Sequence, residues 1–265
     1  MRKREMAEQG DVQGIEDSGL FWRYGLWMIG CGFIGLVLLS SIADLDLHLS
    51  GYFYDPAAPQ RWFLKTAVPW IWLDHYGEYP AGLLAVGAGV IWCASLRRRA
   101  WVRYRRACAL IVLALALGPG LLVNGILKPL WGRPRPHQVQ VFGGSRSYRP
   151  WWQPGPPGGG KSFSSGHTAM AYVLMAGVFL VPPRRPAWLR GLALGGALAY
   201  GSLVGAARVV QGAHFVSDVL WSGSLMCFTV ATLQAVLPAM LPKDKVTRFA
   251  STEGNLYNRA TLEPS

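Results

Sequence analysis

The stretch Ala107-Cys-Ala-Leu-Ile-Val-Leu-Ala-Leu-Ala-Leu-Gly-Pro-Gly-Leu-Leu-Val-Asn-Gly-Ile-Leu127 holds no Asp, Glu, Lys or Arg and runs straight into Lys128. A hydrocarbon layer of about 30 Å needs roughly 20 such residues at a rise of about 1.5 Å each. This run is long enough to cross. Five more charge-free runs accompany it: Gly25–Ala43, Tyr79–Leu96, Ser162–Pro183, Gly191–Ala207 and Val219–Pro242. Gly191–Ala207 reaches a full span only by continuing past Arg208, which must then face protein or water. The pattern predicts an all-α integral membrane protein, a bundle of six transmembrane helices over residues 22–242. A polar segment (1–21) precedes it and a tail (243–265) follows. A soluble bundle would need charged outer faces, yet 51% of the residues are hydrophobic and only 15% charged.

Smaller features agree. Glycines spaced through Gly191–Gly201 suit helices that approach closely inside a membrane. Cys31, Cys93, Cys108 and Cys227 all fall within the apolar runs without paired spacing, and read as packing residues. Met1–Trp22 contains acidic residues and no apolar core, so the first run is expected to stay as an uncleaved anchor.

The net charge of +12 is placed unevenly. Arg2, Lys3 and Arg4 open the chain; Arg97, Arg98, Arg99, Arg103, Arg105 and Arg106 fill the second connection. Arg184, Arg185 and Arg190 fill the fourth, and Lys243, Lys245 and Arg248 begin the tail. With six crossings all four segments share one side, which the positive-inside rule makes cytoplasmic. The expected location is a bacterial plasma membrane, with segment 1–21 and tail 243–265 inside. These cations sit in short loops at span ends and form no patch on a folded face, which excludes nucleic acid as a partner.

The outer connections are less ordinary. Asp55-Pro-Ala-Ala-Pro marks a turn, and Arg61–Asp74, with Trp62, Phe63, Trp70 and Trp72, suits the membrane interface. The connection Lys128–Phe163 contains Gly155-Pro-Pro-Gly-Gly-Gly and the cations Lys128, Arg133, Arg135, Arg146, Arg149 and Lys161. It reads as a basic loop without acidic partners, built to hold an anion. Arg135 lies in Gly132-Arg-Pro-Arg-Pro, where proline on both sides limits what is lost on clamping a phosphate. Arginine offers planar paired donors and lysine a point charge. Ser164-Ser-Gly-His167 opens the fourth run, so that Ser165 and Gly166 would present a helix N-terminus to an anion and His167 could protonate a departing oxygen. Next comes Arg208-Val-Val-Gln-Gly-Ala-His214-Phe-Val-Ser-Asp218. The spacing of four predicts that His214 and Asp218 share a helix face. The carboxylate would fix one ring nitrogen and make the other a nucleophile. His48, His75 and His137 receive no role.

Lys128-(six)-Arg135-Pro136, Ser165-Gly-His167 and Arg208-(five)-His214-(three)-Asp218 together resemble the three-part signature of the type 2 phosphatidic acid phosphatase (PAP2) superfamily, in its membrane-bound branch. The resemblance implies catalysis by His214, His167 and Asp218. His214 would form a phosphohistidine, Asp218 would orient it and His167 would protonate the leaving group. Lys128, Arg135, Ser165, Gly166 and Arg208 would bind phosphate, with no metal and no cofactor. Two positions depart from the family pattern: Ser164 stands where proline is usual, and Ala207 where serine is usual.

The expected activity is hydrolysis of a lipid phosphomonoester or pyrophosphate at the outer membrane face, and its partners are that phosphorylated lipid and the bilayer. The run Phe142-Gly-Gly, with Trp151-Trp152 and Lys161-Ser-Phe, looks most like lipid A phosphatases. Undecaprenyl diphosphate and phosphatidylglycerophosphate remain alternative substrates, and a lipid phosphotransferase would use the same residues. A lipid carrier would leave the His214/Asp218 pair without a purpose. A vanadium haloperoxidase shares the oxyanion site but is soluble.

Overall fold

The computed structural model describes residues 24–41, 44–182 and 185–240; segment 1–21 and tail 243–265 lie outside them. Helix α1 is Tyr24–Ser41. Two short helices follow, α2 (Leu45–Gly51) and α3 (Trp70–Tyr76), and α3 leads through one turn into α4 (Tyr79–Arg97). Helix α5 starts at Arg105–Leu115, widens to a π-helix over Ala116–Leu127 and closes with the turn Lys128–Trp131. Helix α6 is Gly166–Tyr172, drawn out as a 3-10 helix over Val173–Leu180, and the bundle ends with α7 (Ala187–Val210) and α8 (Val216–Met240). Among the described residues extended pairing is confined to two isolated bridges, Tyr54 with Trp62 and Val139 with Arg146.

Among the described residues, five helical stretches are long and apolar enough to cross a membrane: Tyr24–Ser41, Trp70–Arg97, Ala100–Gln138, Ala187–Val210 and Val216–Met240. The sixth apolar helix, Gly166–Leu180, is shorter than the run Ser162–Pro183 led one to expect. Its missing first turn is bonded elsewhere: Ser162 donates to Asp218 and Ser165 caps the helix. The shortness is tolerable because α6 lies among α4, α5, α7 and α8, with Ala169, Ala171, Tyr172, Val173, Met175 and Ala176 all buried. Protein therefore surrounds most of it, and lipid thickness does not set its length.

The outer helices show the reverse pattern. Met28 and Leu39 on α1, Leu83 and Val86 on α4, and Leu192 on α7 stand on the outside of the bundle. That apolar surface is one a bilayer solvates. Between helices, glycine permits contact. A Cβ at Gly201 would lie 2.3 Å from the Tyr172 ring, and one at Gly205 would lie 2.4 Å from Val219 Cγ1. Tyr172 and Ser202 hydroxyls add a polar tie at 3.0 Å. α7 does continue past Ala207 to Val210, and Arg208 faces protein.

Pro119 shapes the third span. It offers no N–H and its ring excludes the carbonyl four residues back, and the helix runs in the wider π register around it. Asn124 Nδ2 donates to the Pro119 carbonyl at 2.7 Å. Asn124 and Lys128 thereby face α6, where a Cβ at Gly166 would lie 2.6 Å from Lys128 Nζ and 3.1 Å from Asn124 Oδ1. The end that carries Lys128 is closed by Trp62, Val139, Phe142 and Phe215. Trp62 is thus buried and not interfacial. Its ring covers Gly212, whose φ of 65° and lack of Cβ both suit glycine there.

Gly205→Val should overpack the α7–α8 contact and lower stability by about 1–3 kcal/mol. The midpoint of thermal inactivation in detergent measures this, and an unchanged midpoint would show that the two helices are not held together here.

Candidate active site

His214 does not lie on a helix. It sits in the tight link between α7 and α8, where the N–H groups of Ala213 and His214 donate back to the Arg208 carbonyl at 2.9 and 3.2 Å. Asp218 is in the first turn of α8 and its Oδ2 accepts the Phe215 N–H at 3.0 Å. The spacing of four therefore brings the pair together through a capping turn and not along a helix face. His214 Nδ1 is 3.7 Å from Asp218 Oδ2, beyond hydrogen-bond length, and has no other partner among the described residues. Burial pushes the imidazole down to about 4, against the pull of Asp218, so that the ring is neutral at pH 7. A neutral ring is what a nucleophile requires.

Asp218 is braced by a charge that the sequence reading left unassigned. Arg133 is fully buried; its Nη1 donates to Asp218 Oδ1 at 2.5 Å and to Ser217 Oγ at 2.9 Å. Its Nη2 donates to Asp46 Oδ2 at 2.7 Å, and its Nε to the Arg149 carbonyl at 2.9 Å. Asp46, on α2, also accepts the Ser217 N–H at 2.9 Å and the Ser217 hydroxyl at 2.6 Å. Ser162 donates to Asp218 Oδ2 at 2.6 Å. The loop Lys128–Phe163 therefore has acidic partners after all, supplied by α2 and α8. Of the two arginines in Gly132-Arg-Pro-Arg-Pro, Arg133 is committed to carboxylates, while Arg135 has no carboxylate partner among the described residues.

Arg135 lies within electrostatic reach of Lys128, His167 and His214. Two residues on, His137 donates its backbone N–H to the Gly212 carbonyl at 3.1 Å, and its Nδ1 bonds the same oxygen at 2.9 Å. This strap holds the first motif to the third. The second motif packs between them. Ser165 caps α6, its Oγ accepting from Thr168 Oγ1 at 2.8 Å, and its N–H goes to the Asp218 carbonyl at 3.4 Å. Ser165 N–H is thus not left for an anion; the donors without a carbonyl four residues back in the helix are those of Gly166 and His167. Arg208 Nη1 touches Asp74 Oδ1 and donates to Gln211 Oε1 at 3.2 Å. His167 Nδ1 is 3.2 Å from Glu78 Oε1. All eight expected site residues therefore gather at one end of the bundle.

The profile of the PAP2 superfamily matches residues 106–241. The chain belongs to the PAP2 superfamily. It is 27% identical to the lipid A 4'-phosphatase of Francisella tularensis subsp. novicida over 215 residues, 80% of this chain and 94% of that protein. To the lipid A 4'-phosphatase of Rhizobium etli it is 40% identical over 121 residues, 43% of this chain and 44% of the relative. A crystal structure of a transmembrane PAP2-type phosphatidylglycerolphosphate phosphatase from Bacillus subtilis matches with a TM-score of 0.50 at 19% identity, covering 84% of this chain and 99% of that one. That match establishes the PAP2 membrane fold.

Several residues of this PAP2 site are not among those the three motifs name: Arg133 and Gln211 lie at unassigned positions within them, and Asp46, Asp74, Glu78 and Ser162 lie outside them. One signal could have found the acids. Between positions 22 and 242 there are six acidic residues, and five of them (Asp44, Asp46, Asp55, Asp74 and Glu78) lie in the single segment 44–78. A segment that concentrates acid beside a basic loop is where counter-charges should be sought.

Asp46→Ala would leave Arg133 buried with one carboxylate fewer and should destabilise the protein by about 3–5 kcal/mol. Asp46→Asn, which keeps an acceptor, should cost less. Thermal inactivation of the two purified variants decides this, and an Asp46→Ala protein as stable as wild type would refute the bracing.

Proposed function

We propose that this PAP2 protein is a lipid phosphatase that removes a phosphate from the glucosamine headgroup of lipid A through a phosphohistidine on His214. The observation that carries the reading is the buried His214 beside an Asp218 braced by Arg133 and Ser162, with Lys128, Arg135, Arg208 and His167 at the same end of the bundle. In the first step His214 Nε2 attacks phosphorus while the bond to the lipid oxygen breaks, and His167 gives that oxygen its proton. Asp218 stabilises the positive charge that develops on the His214 ring. In the second step water attacks, His167 takes its proton, the N–P bond breaks and phosphate leaves with His214 neutral again. Lys128, Arg135 and Arg208 offset the charge on the phosphoryl oxygens, and the mechanism calls for no metal.

One observation supports lipid A among the candidate lipids. The relatives that match are lipid A 4'-phosphatases. A cleft of about 340 Å³ lined by Gly132, Pro134, Arg146, Ser147 and Arg149 adjoins the first motif, and its two arginines suit the anionic headgroup of any of the three lipids. His214→Ala should abolish phosphate release from lipid A by several orders of magnitude, because the nucleophile is gone. Assays of purified protein on lipid A, undecaprenyl diphosphate and phosphatidylglycerophosphate test the substrate. Fastest release from either of the latter would displace lipid A, and ordinary turnover by His214→Ala would sink the mechanism.

The protein is multi-pass, and we place it in a bacterial inner membrane with the site facing the periplasm. Segments 1–21 and 243–265 then lie in the cytoplasm, flanking the membrane domain 22–242. α5 runs from Arg105 and Arg106 at one end to Lys128 at the other, and α7 from Arg190 to Arg208. The arginine-rich connection and the catalytic groups therefore occupy opposite ends, and the positive-inside rule puts the former inside. Single cysteines at the exposed positions Ser145 and Ala100, in a background lacking Cys31, Cys93, Cys108 and Cys227, read the orientation. An impermeant thiol reagent on intact spheroplasts should label position 145 and spare 100. The reverse pattern would place catalysis in the cytoplasm.

A further inference from the structure

Two carboxylates stand one helical turn apart at the outer end of the second span, Asp74 in α3 and Glu78 at the start of α4. Each faces a residue of the phosphatase site. Glu78 Oε1 is 3.2 Å from His167 Nδ1. Asp74 Oδ1 touches Arg208 Nη1 and lies 3.8 Å from His167 Nε2. We propose that Glu78 is a positioning residue for His167 and that Asp74 is one for Arg208. The proposal rests on the assignment of His167 as proton donor and Arg208 as phosphate ligand.

The ledge that carries the two acids is built into the fold. Gln211 Nε2 donates to the Trp70 carbonyl at 3.1 Å and to the Lys65 carbonyl at 3.3 Å, which ties the start of α3 to the third motif. Tyr200 on α7 donates to the Gly77 carbonyl at 3.1 Å, which ties the turn between the acids to the same helix. A Cβ at Gly77 would lie 3.0 Å from Val204 Cγ2, so the turn sits directly on α7.

The chemistry needs both acids. A proton donor must present one N–H to the departing oxygen, and an imidazole about a third exposed can turn. With Nδ1–H held by Glu78, the other nitrogen points to the Arg208 side, where the phosphoryl group would sit. Charge also matters, because burial, and after it Lys128 and Arg135, oppose a proton on the ring, and Glu78 supplies the opposing negative charge. At Arg208, Asp74 and Gln211 occupy Nη1, while Nε has no partner among the described residues. That leaves the Nε/Nη2 edge of the fork for paired bonds to phosphate.

The test compares two substrates on full-length protein in detergent. Dodecyl phosphate expels an alkoxide and needs a proton donor; 4-nitrophenyl phosphate does not. A well-placed general acid contributes about 10²–10⁴-fold. Glu78→Gln should therefore lower kcat on dodecyl phosphate about 10–100-fold, with KM little changed, and on 4-nitrophenyl phosphate less than about 3-fold. In a His167→Ala background the same substitution should cost almost nothing more. Asp74→Asn should instead raise KM and the inhibition constant of inorganic phosphate together on both substrates. An equal loss on the two substrates, or an undiminished loss in the His167→Ala background, would overturn the Glu78 proposal. An Asp74→Asn enzyme with the leaving-group dependence of Glu78→Gln would overturn the division of roles. If Glu78→Gln does not accumulate, Glu78→Asp keeps the charge but shortens its reach, and is read by the same comparison. Turnover by His214→Ala would count against the phosphohistidine reading alone, since the Glu78 comparison concerns only the leaving group.

Discussion

A guanidinium that solvent does not reach must find its counter-charge inside the protein, and Arg133 finds two, Asp46 and Asp218. Neither carboxylate would be tolerable alone in the bundle. Together the three groups, with Ser217 and Ser162, satisfy one another. This contact fixes α2 against the start of α8 and the first-motif loop against both. It also sets the orientation of Asp218, because Oδ1 is taken by Arg133, which leaves Oδ2 to face His214. Asp218, the neighbour of His214, is thus oriented by residues that do not touch that ring.

The bundle around this network follows from lipid as solvent. Apolar side chains gain nothing by facing inward when hydrocarbon lies outside, so glycine contacts and shared hydroxyls hold the helices together. The helix that carries Ser165, Gly166 and His167 is the most enclosed of the six, and it can begin late because protein surrounds it. Its N-terminal residues are thereby released from the span to bind Asp218 and cap the turn.

Much of this was legible in the sequence, and the limits were physical. Charge-free runs report spans directly, because a bilayer filters by length and charge. The three motifs report the residues that gather at one end, since His214, His167 and their cations are read by type and spacing. What spacing does not encode is a partner far along the chain: Arg133 meets Asp46 and Asp218 across 87 and 85 residues. The helix-face reading of His214 and Asp218 failed for a local reason. Gly212 turns the chain through positive φ before the histidine, so α7 ends and α8 begins afresh.

His137 gives both its backbone N–H and its ring nitrogen to the one carbonyl of Gly212. Arg135 lies two residues before the first partner and His214 two residues after the second. The spacing between Arg135 and His214 is therefore braced through a single oxygen atom, under the Trp62 ring. That side of the site works as a fixed jaw. The facing side is about a third exposed at His167, Asp74 and Glu78, against 1% or less at His214, Asp218 and Arg133. Solvent reaches the cluster along that looser edge, between the second span and α6, and under the proposed function a headgroup would enter there.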